Sequence, residues 1–157
     1  NSSINDENMC NIHALTKALK ISKKSLIKSL KSFKGLPHRY EIFLRKKNCI
    51  FINDSKATSF QSTKLALKNT NNIYWIVGGQ PKKNDKINLK ELKNRIVRSY
   101  IIGKNINFFK NQIKDKIKYS VTKNIQYSII SILRDIKKSK KKINDDAHAH
   151  LQMCSKV

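Results

Sequence analysis

Residues 49–58 read Cys49-Ile50-Phe51-Ile52-Asn53-Asp54-Ser55-Lys56-Ala57-Thr58. The first four are apolar, and a short run rich in β-branched and aromatic side chains predicts a buried strand. The chain then turns polar, with the Asp54 carboxylate, the Lys56 ammonium and the Ser55 and Thr58 hydroxyls in quick succession. Leu65 and Leu67 belong to a helix-like pattern beyond them, and Thr58 with Gln61 has capping-box spacing, so Thr58 is expected to start that helix. A strand that hands polar groups to the loop before a helix is how an open α/β sheet builds a site at its carboxyl edge. The plainer alternative is a surface connection with ordinary loop polarity.

Working outward, Tyr40–Leu44 is a second strand candidate, and the polar turn Lys46-Lys47-Asn48 makes a hairpin of the two. Upstream, Met9, Ile12, Leu15 and Leu19 keep a helical period. Ser22 is placed to cap a second helix carrying Leu26, Ile27 and Leu30, and Gly35-Leu36-Pro37 breaks it as a linker would. Downstream, helix 60–69 leads to Ile73-Tyr74-Trp75-Ile76-Val77, a continuous apolar run typical of a strand buried on both faces. Gly78-Gly79 ends that run. A helix around 88–97 is predicted before the strand Tyr100-Ile101-Ile102, and another around 105–114 before a strand at Lys118–Val121. Thr122 is then expected to cap a helix of roughly 16 residues with Ile125, Ile129, Ile132, Leu133 and Ile136 on one side. This alternation predicts an α/β fold, a Rossmann-like, mostly parallel sheet flanked by helices and preceded by two helices from another domain.

The whole chain has 157 residues, 39% of them hydrophobic, which suffices for one domain and a piece of a second. The apolar runs fall well short of the ~20 residues of a membrane-spanning helix. Residues 1–8 do not read as a signal peptide. Lys and Arg number 34 against 10 acidic residues, a formal charge of +24. That raises an alternative, a small basic nucleic-acid-binding module. The charge is spread along the chain, however, and abundant Lys, Asn and Ile are what an A/T-rich coding sequence produces, so specific nucleic-acid binding is not expected. Cys10, Cys49 and Cys154 are odd in number and far apart, which fits a reducing cytoplasm and argues against a disulfide framework. With no CxxC pair, a zinc site is not expected, although His148, His150 and Cys154 are metal-ligating types close together.

Three further strings complete a pattern: Asn8-x-x-Asn11, Gly35-Leu36-Pro37-His38-Arg39, and Ile73-Tyr74-Trp75-Ile76-Val77-Gly78-Gly79-Gln80-Pro81-Lys82. Together with Asn53-Asp54-Ser55-Lys56-Ala57-Thr58, in this order and spacing, they resemble the Mur ligases, most closely the members that add D-glutamate. The resemblance covers residues 7–142. Two departures stand out. Glu7 replaces the His usual before Asn8, and residues 145–154 do not continue the Leu-Ser-Pro-Ala-Cys-Ala-Ser-Phe-Asp string of the family.

The resemblance implies a cytoplasmic, monomeric, three-domain enzyme that uses ATP and Mg2+ to join D-glutamate to UDP-N-acetylmuramoyl-L-alanine through an acyl phosphate, in peptidoglycan precursor synthesis. Residues 1–34 would be the last helices of the ATP-binding central domain, 35–144 an incomplete C-terminal Rossmann-like domain, and 145–157 a divergent tail. No GxxxxGK[ST] loop occurs, so the chain is expected to be a fragment, inactive alone, with Mg2+ held mainly by the missing domains. By resemblance, Asn8, Asn11, Arg39 and Asp54 contact ATP, and Lys56, Thr58 and Lys82 face D-glutamate. His38 is assigned a packing or hydrogen-bonding role. Asp54, Lys56 and Lys82 are expected together at the ends of adjacent strands, in a sheet left short of an edge strand.

Overall fold

The structure, a computed structural model, describes residues 6–46, 49–139 and 147–154. Two helices open it, α1 (Asp6–Ala18) and α2 (Lys23–Ser32). Ser22 caps α2 as its sequence position predicts, its side chain accepting the Ser25 N–H at 3.2 Å. None of the residues of α2 is buried. A hairpin follows, β1 (Glu41–Lys46) antiparallel to β2 (Cys49–Asn53); Lys47 and Asn48 of its predicted turn lie outside the described residues.

From β2 onward helices and strands interleave as α3 (Phe60–Lys68), β3 (Ile73–Gly79), β4 (Ile96–Ile102), α4 (Ile106–Ile113), β5 (Tyr119–Val121), α5 (Ile125–Lys138) and β6 (Ala147–Cys154). The sheet order is β1-β2-β6-β3-β4-β5, and every pairing except β1–β2 is parallel. The mostly parallel α/β sheet read from the sequence is therefore present.

β3 is buried on both faces because its side chains alternate between two cores. Ile73, Trp75 and Val77 face a cluster with Phe60 and Leu67 of α3 and Phe109 and Ile113 of α4. Tyr74 and Ile76 face the other way, with Cys49, Tyr100 and Ile132 of α5. Helices thus cover both faces, which is what a continuous apolar strand requires.

Five expectations need correction. The segment 88–97 is not a helix: residues 90–95 run in turns, and Ile96 already belongs to β4. Leu89, Leu92 and Ile96 are buried at helical spacing, yet the Ile73 N–H donates to Arg95 O at 2.8 Å and recruits this end of the segment to the sheet. Ser59, not Thr58, caps α3, and Asn124, not Thr122, caps α5. The sheet is not short of an edge strand, because residues 147–154 pair on both sides as β6. For the same reason β2 and β3 are not adjacent. Ile52 and Trp75 are both in register with His150, two strand spacings or about 9.5 Å apart.

Candidate functional site

Because β2, β3 and β4 run the same way in the sheet, the three loops that leave them gather at one edge of it. The antiparallel hairpin brings a fourth loop there, since Glu41 at the start of β1 pairs with Asn53 at the end of β2. The segments holding Arg39 and Asp54 are therefore neighbours through simple topology.

Side chains and backbone then knit the two segments together. Asp54 is 5% exposed and its Oδ1 accepts the Tyr40 N–H at 3.0 Å. Burial pushes its carboxyl up to about 6, against the opposing pull of the Tyr40 N–H and of the Arg39 charge beside it. The Lys56 N–H donates to His38 O at 3.0 Å, and the Ala57 N–H to Asp54 O at 2.9 Å. Glu41 Oε2 accepts the His38 N–H at 2.8 Å. Between these anchors the Arg39 side chain is exposed. A buried carboxylate that can accept hydrogen bonds from hydroxyls, next to an exposed guanidinium that can grip phosphate, suits a nucleotide.

The second half of the edge is the loop after β3. Asn105, ahead of α4, donates from Nδ2 to Gly79 O at 2.9 Å and fixes where this loop begins. Asp85 closes it: both carboxylate oxygens accept the Phe60 N–H, at 3.2 and 3.1 Å, at the start of α3. A carboxylate at a helix N-terminus is favoured by the dipole and by the free N–H groups there. The Gln112 side chain of α4 holds the same loop, taking the Ile87 N–H at 2.7 Å and donating to Asp85 O at 3.3 Å. Lys82, whose carbonyl accepts the Asp85 N–H, is thereby tied to the end of α3 that Thr58 precedes.

The predicted residues therefore fall into three groups. Arg39, Asp54 and Lys56 share one hydrogen-bonded knot. Thr58 and Lys82 flank the Asp85–Phe60 contact, two residues before Phe60 and three before Asp85, and the end of β3 at Gly79 lies three residues, or roughly 10 Å, beyond the level of Asn53. Asn8 and Asn11 are exposed one turn apart on α1, a separate element. Sequence reasoning missed Asn53, Glu41 and Asp85. Asn53 had a local signal, an Asx residue two before an N–H it could accept, whereas the partner of Asp85 lies 25 residues away. Among the described residues no group of three His, Cys, Asp or Glu side chains could hold a metal ion. The side chains of His148, His150 and Cys154 lie outside the described ones.

No protein-family model matches the chain. It is 36% identical over 138 residues to the UDP-N-acetylmuramoylalanine–D-glutamate ligase of Wolbachia from Brugia malayi, covering 88% of this chain and 28% of that protein. The ligase of the same name from Nitrobacter hamburgensis is 34% identical over 131 residues, covering 83% and 28%. This chain is related to the Mur ligases. It spans less than a third of the length of these curated relatives. Two solved Mur ligases share the fold. MurF from Acinetobacter baumannii superposes with a TM-score of 0.64 at 16% identity, over 89% of this chain and 32% of that one. MurF from Thermotoga maritima, in complex with ADP, gives 0.60 at 19% identity, over 97% and 35%.

Proposed function

We propose that this chain forms part of an ATP-dependent Mur ligase that adds D-glutamate to UDP-N-acetylmuramoyl-L-alanine in peptidoglycan precursor synthesis, as a cytoplasmic monomer. The observation that carries this reading is the knot that sets Arg39 beside the buried Asp54, in a chain 36% identical to a ligase of that name.

In the proposed reaction ATP phosphorylates the muramoyl-alanine carboxylate, giving an acyl phosphate and ADP. The D-glutamate amine attacks that carbonyl, and the tetrahedral intermediate expels phosphate to leave the amide. Catalysis is then mostly positioning and charge neutralisation. Asp54 accepts hydrogen bonds from the ribose hydroxyls, Arg39 contacts the phosphates, and Asn8 and Asn11 approach the adenine side. Lys82, Thr58 and, from the knot, Lys56 hold the D-glutamate carboxylates. Mg2+ would neutralise phosphate charge, and the residues named here are assigned to the nucleotide and the amino acid.

A hybrid enzyme tests the proposal. The matching segment of the Wolbachia ligase is replaced by residues 7–142 or by residues 7–154 of this chain, and D-glutamate-dependent phosphate release is measured. Activity is expected from the longer hybrid. Asp54→Ala or Arg39→Ala should lower kcat/KM for ATP by roughly 10- to 150-fold, the worth of a hydrogen bond to a charged group. Lys82→Ala should raise the KM for D-glutamate. A hybrid indifferent to all three substitutions would overturn the reading.

A further inference from the structure

The segment that presents Arg39 is held in an unfavourable shape. His38 and Tyr40, on either side of it, have φ of 64° and 49°. Side chains with a Cβ seldom occupy this left-handed region, and they do so where the surroundings over-determine them. The Tyr40 N–H is taken by Asp54 and the His38 carbonyl by the Lys56 N–H. The His38 ring has a partner too: Asn53 Nδ2 lies 2.8 Å from His38 Nδ1.

The direction of that last bond follows from its neighbours. Asn53 Oδ1 accepts the Ser55 N–H at 3.1 Å, which fixes the amide with its nitrogen toward His38. An amide nitrogen only donates, so in this bond His38 Nδ1 accepts. Glu41 Oε2, 3.7 Å from the same Nδ1, is engaged instead by the His38 backbone N–H.

We propose that Asn53 is a positioning residue for Arg39: its amide, oriented by the Ser55 N–H, latches the His38 ring and so holds the left-handed turn that presents the guanidinium beside Asp54. The proposal rests on the nucleotide reading of Arg39 only for its consequence in binding. The latch itself is a property of the free chain.

Two readouts separate those levels. The first is amide hydrogen exchange of the 157-residue chain by NMR. In Asn53→Ala and in His38→Ala, exchange at Tyr40 and Lys56 should quicken at least tenfold while Tyr74 and Tyr100 in the core strands stay protected. Because the two residues act as one pair, the double variant should be no worse than either single. Additive effects, or unchanged exchange at Tyr40 and Lys56, would overturn the latch. A general loss of protection that reaches Tyr74 and Tyr100 would overturn it as well, since Asn53 would then be a fold residue. The second readout is the KM for ATP of the hybrid ligase. Asn53→Ala should raise it about as much as Arg39→Ala, and should add nothing in an Arg39→Ala background. Equal penalties in both backgrounds would show that Asn53 does not act through Arg39. If Arg39→Ala itself has no effect, the nucleotide reading fails, and the exchange result alone decides the latch.

Discussion

Asp54 loses most of its water on folding, and its carboxyl rises from 3.8 to about 6 in consequence. The sign of the resulting pH dependence is opposite to that of a salt-bridged aspartate. Below about pH 4 the group is protonated both folded and unfolded and contributes no difference. Between about pH 4 and 6 the unfolded chain ionises while the folded one holds its proton, so stability falls as the pH rises. Above that window the folded state carries a penalty of at most about 3 kcal/mol. Urea unfolding of the wild type and of Asp54→Asn should therefore diverge with rising pH, the variant gaining on the wild type between pH 4 and pH 7. A variant that fails to gain on the wild type over that range would contradict the burial argument. At neutral pH the cost keeps an ionised acceptor in a partly dry site, where its hydrogen bonds to a ligand count for more. Asp85 is the second acidic residue with a calculable role. Asp85→Ala leaves the Phe60 N–H without its carboxylate, while Ser59 still caps Ser62. A loss of about 0.5–2 kcal/mol in unfolding free energy is expected, with faster exchange at the Phe60 amide.

At the level of elements, the strands buried on both faces were the most legible. The run Ile73–Val77 announces β3 because nothing but a two-sided core accepts five apolar side chains in a row. Helices α3, α4 and α5 followed from their apolar period, though their caps slipped by one or two residues, since Ser59 and Asn124 compete locally with Thr58 and Thr122. The false helix at 88–97 shows where periodicity misleads. Leu89 and Leu92 are buried at helical spacing, but the backbone reaches Ile96 in separate turns and joins the sheet there. Arg39 and Asp54 could be named from sequence, yet their contact depends on a hairpin register that no local pattern states. Gly78 illustrates a constraint that only packing explains. A Cβ built there would lie 2.4 Å from Ile102 O and 2.7 Å from Ile102 Cγ1. β3 and β4 would have to separate to admit it, because a strand carbonyl cannot swing aside as a side chain does. Gly78→Ala should cost at least the upper end of the ~1–3 kcal/mol usual for overpacking. Thermal unfolding would register this, and a variant as stable as the wild type would refute so close an approach of the two strands.

Across the whole molecule the positive charge is dispersed. Every described helix exposes lysine, among them Lys17, Lys24, Lys68, Lys110 and Lys137, an arrangement that favours diffuse, salt-sensitive attraction over a shaped nucleic-acid site. What integrates the molecule is β6. Its sequence, Ala147-His148-Ala149-His150-Leu151-Gln152-Met153-Cys154, alternates in a way compatible with a strand, but the polar residues at every second position hide its central place in a parallel sheet. No ladder joins β2 to β3 directly: β6 pairs with both and so connects the hairpin that carries Arg39 and Asp54 to the strands that lead to Lys82. Removing it should leave two unpaired inner edges, with α3 as the main remaining link between the halves. Trp75, the single tryptophan, sits in β3 and reports on one half, whereas far-UV circular dichroism reports on both. In urea the full chain should unfold with coincident transitions by the two probes. A chain ending at residue 142 should unfold at lower urea, with the circular dichroism change preceding the fluorescence change as the hairpin separates first. If the shortened chain instead unfolds in one step at an unshifted midpoint, β6 contributes no cohesion, and the two halves of the proposed site must be held together through α3 and its Asp85 contact alone.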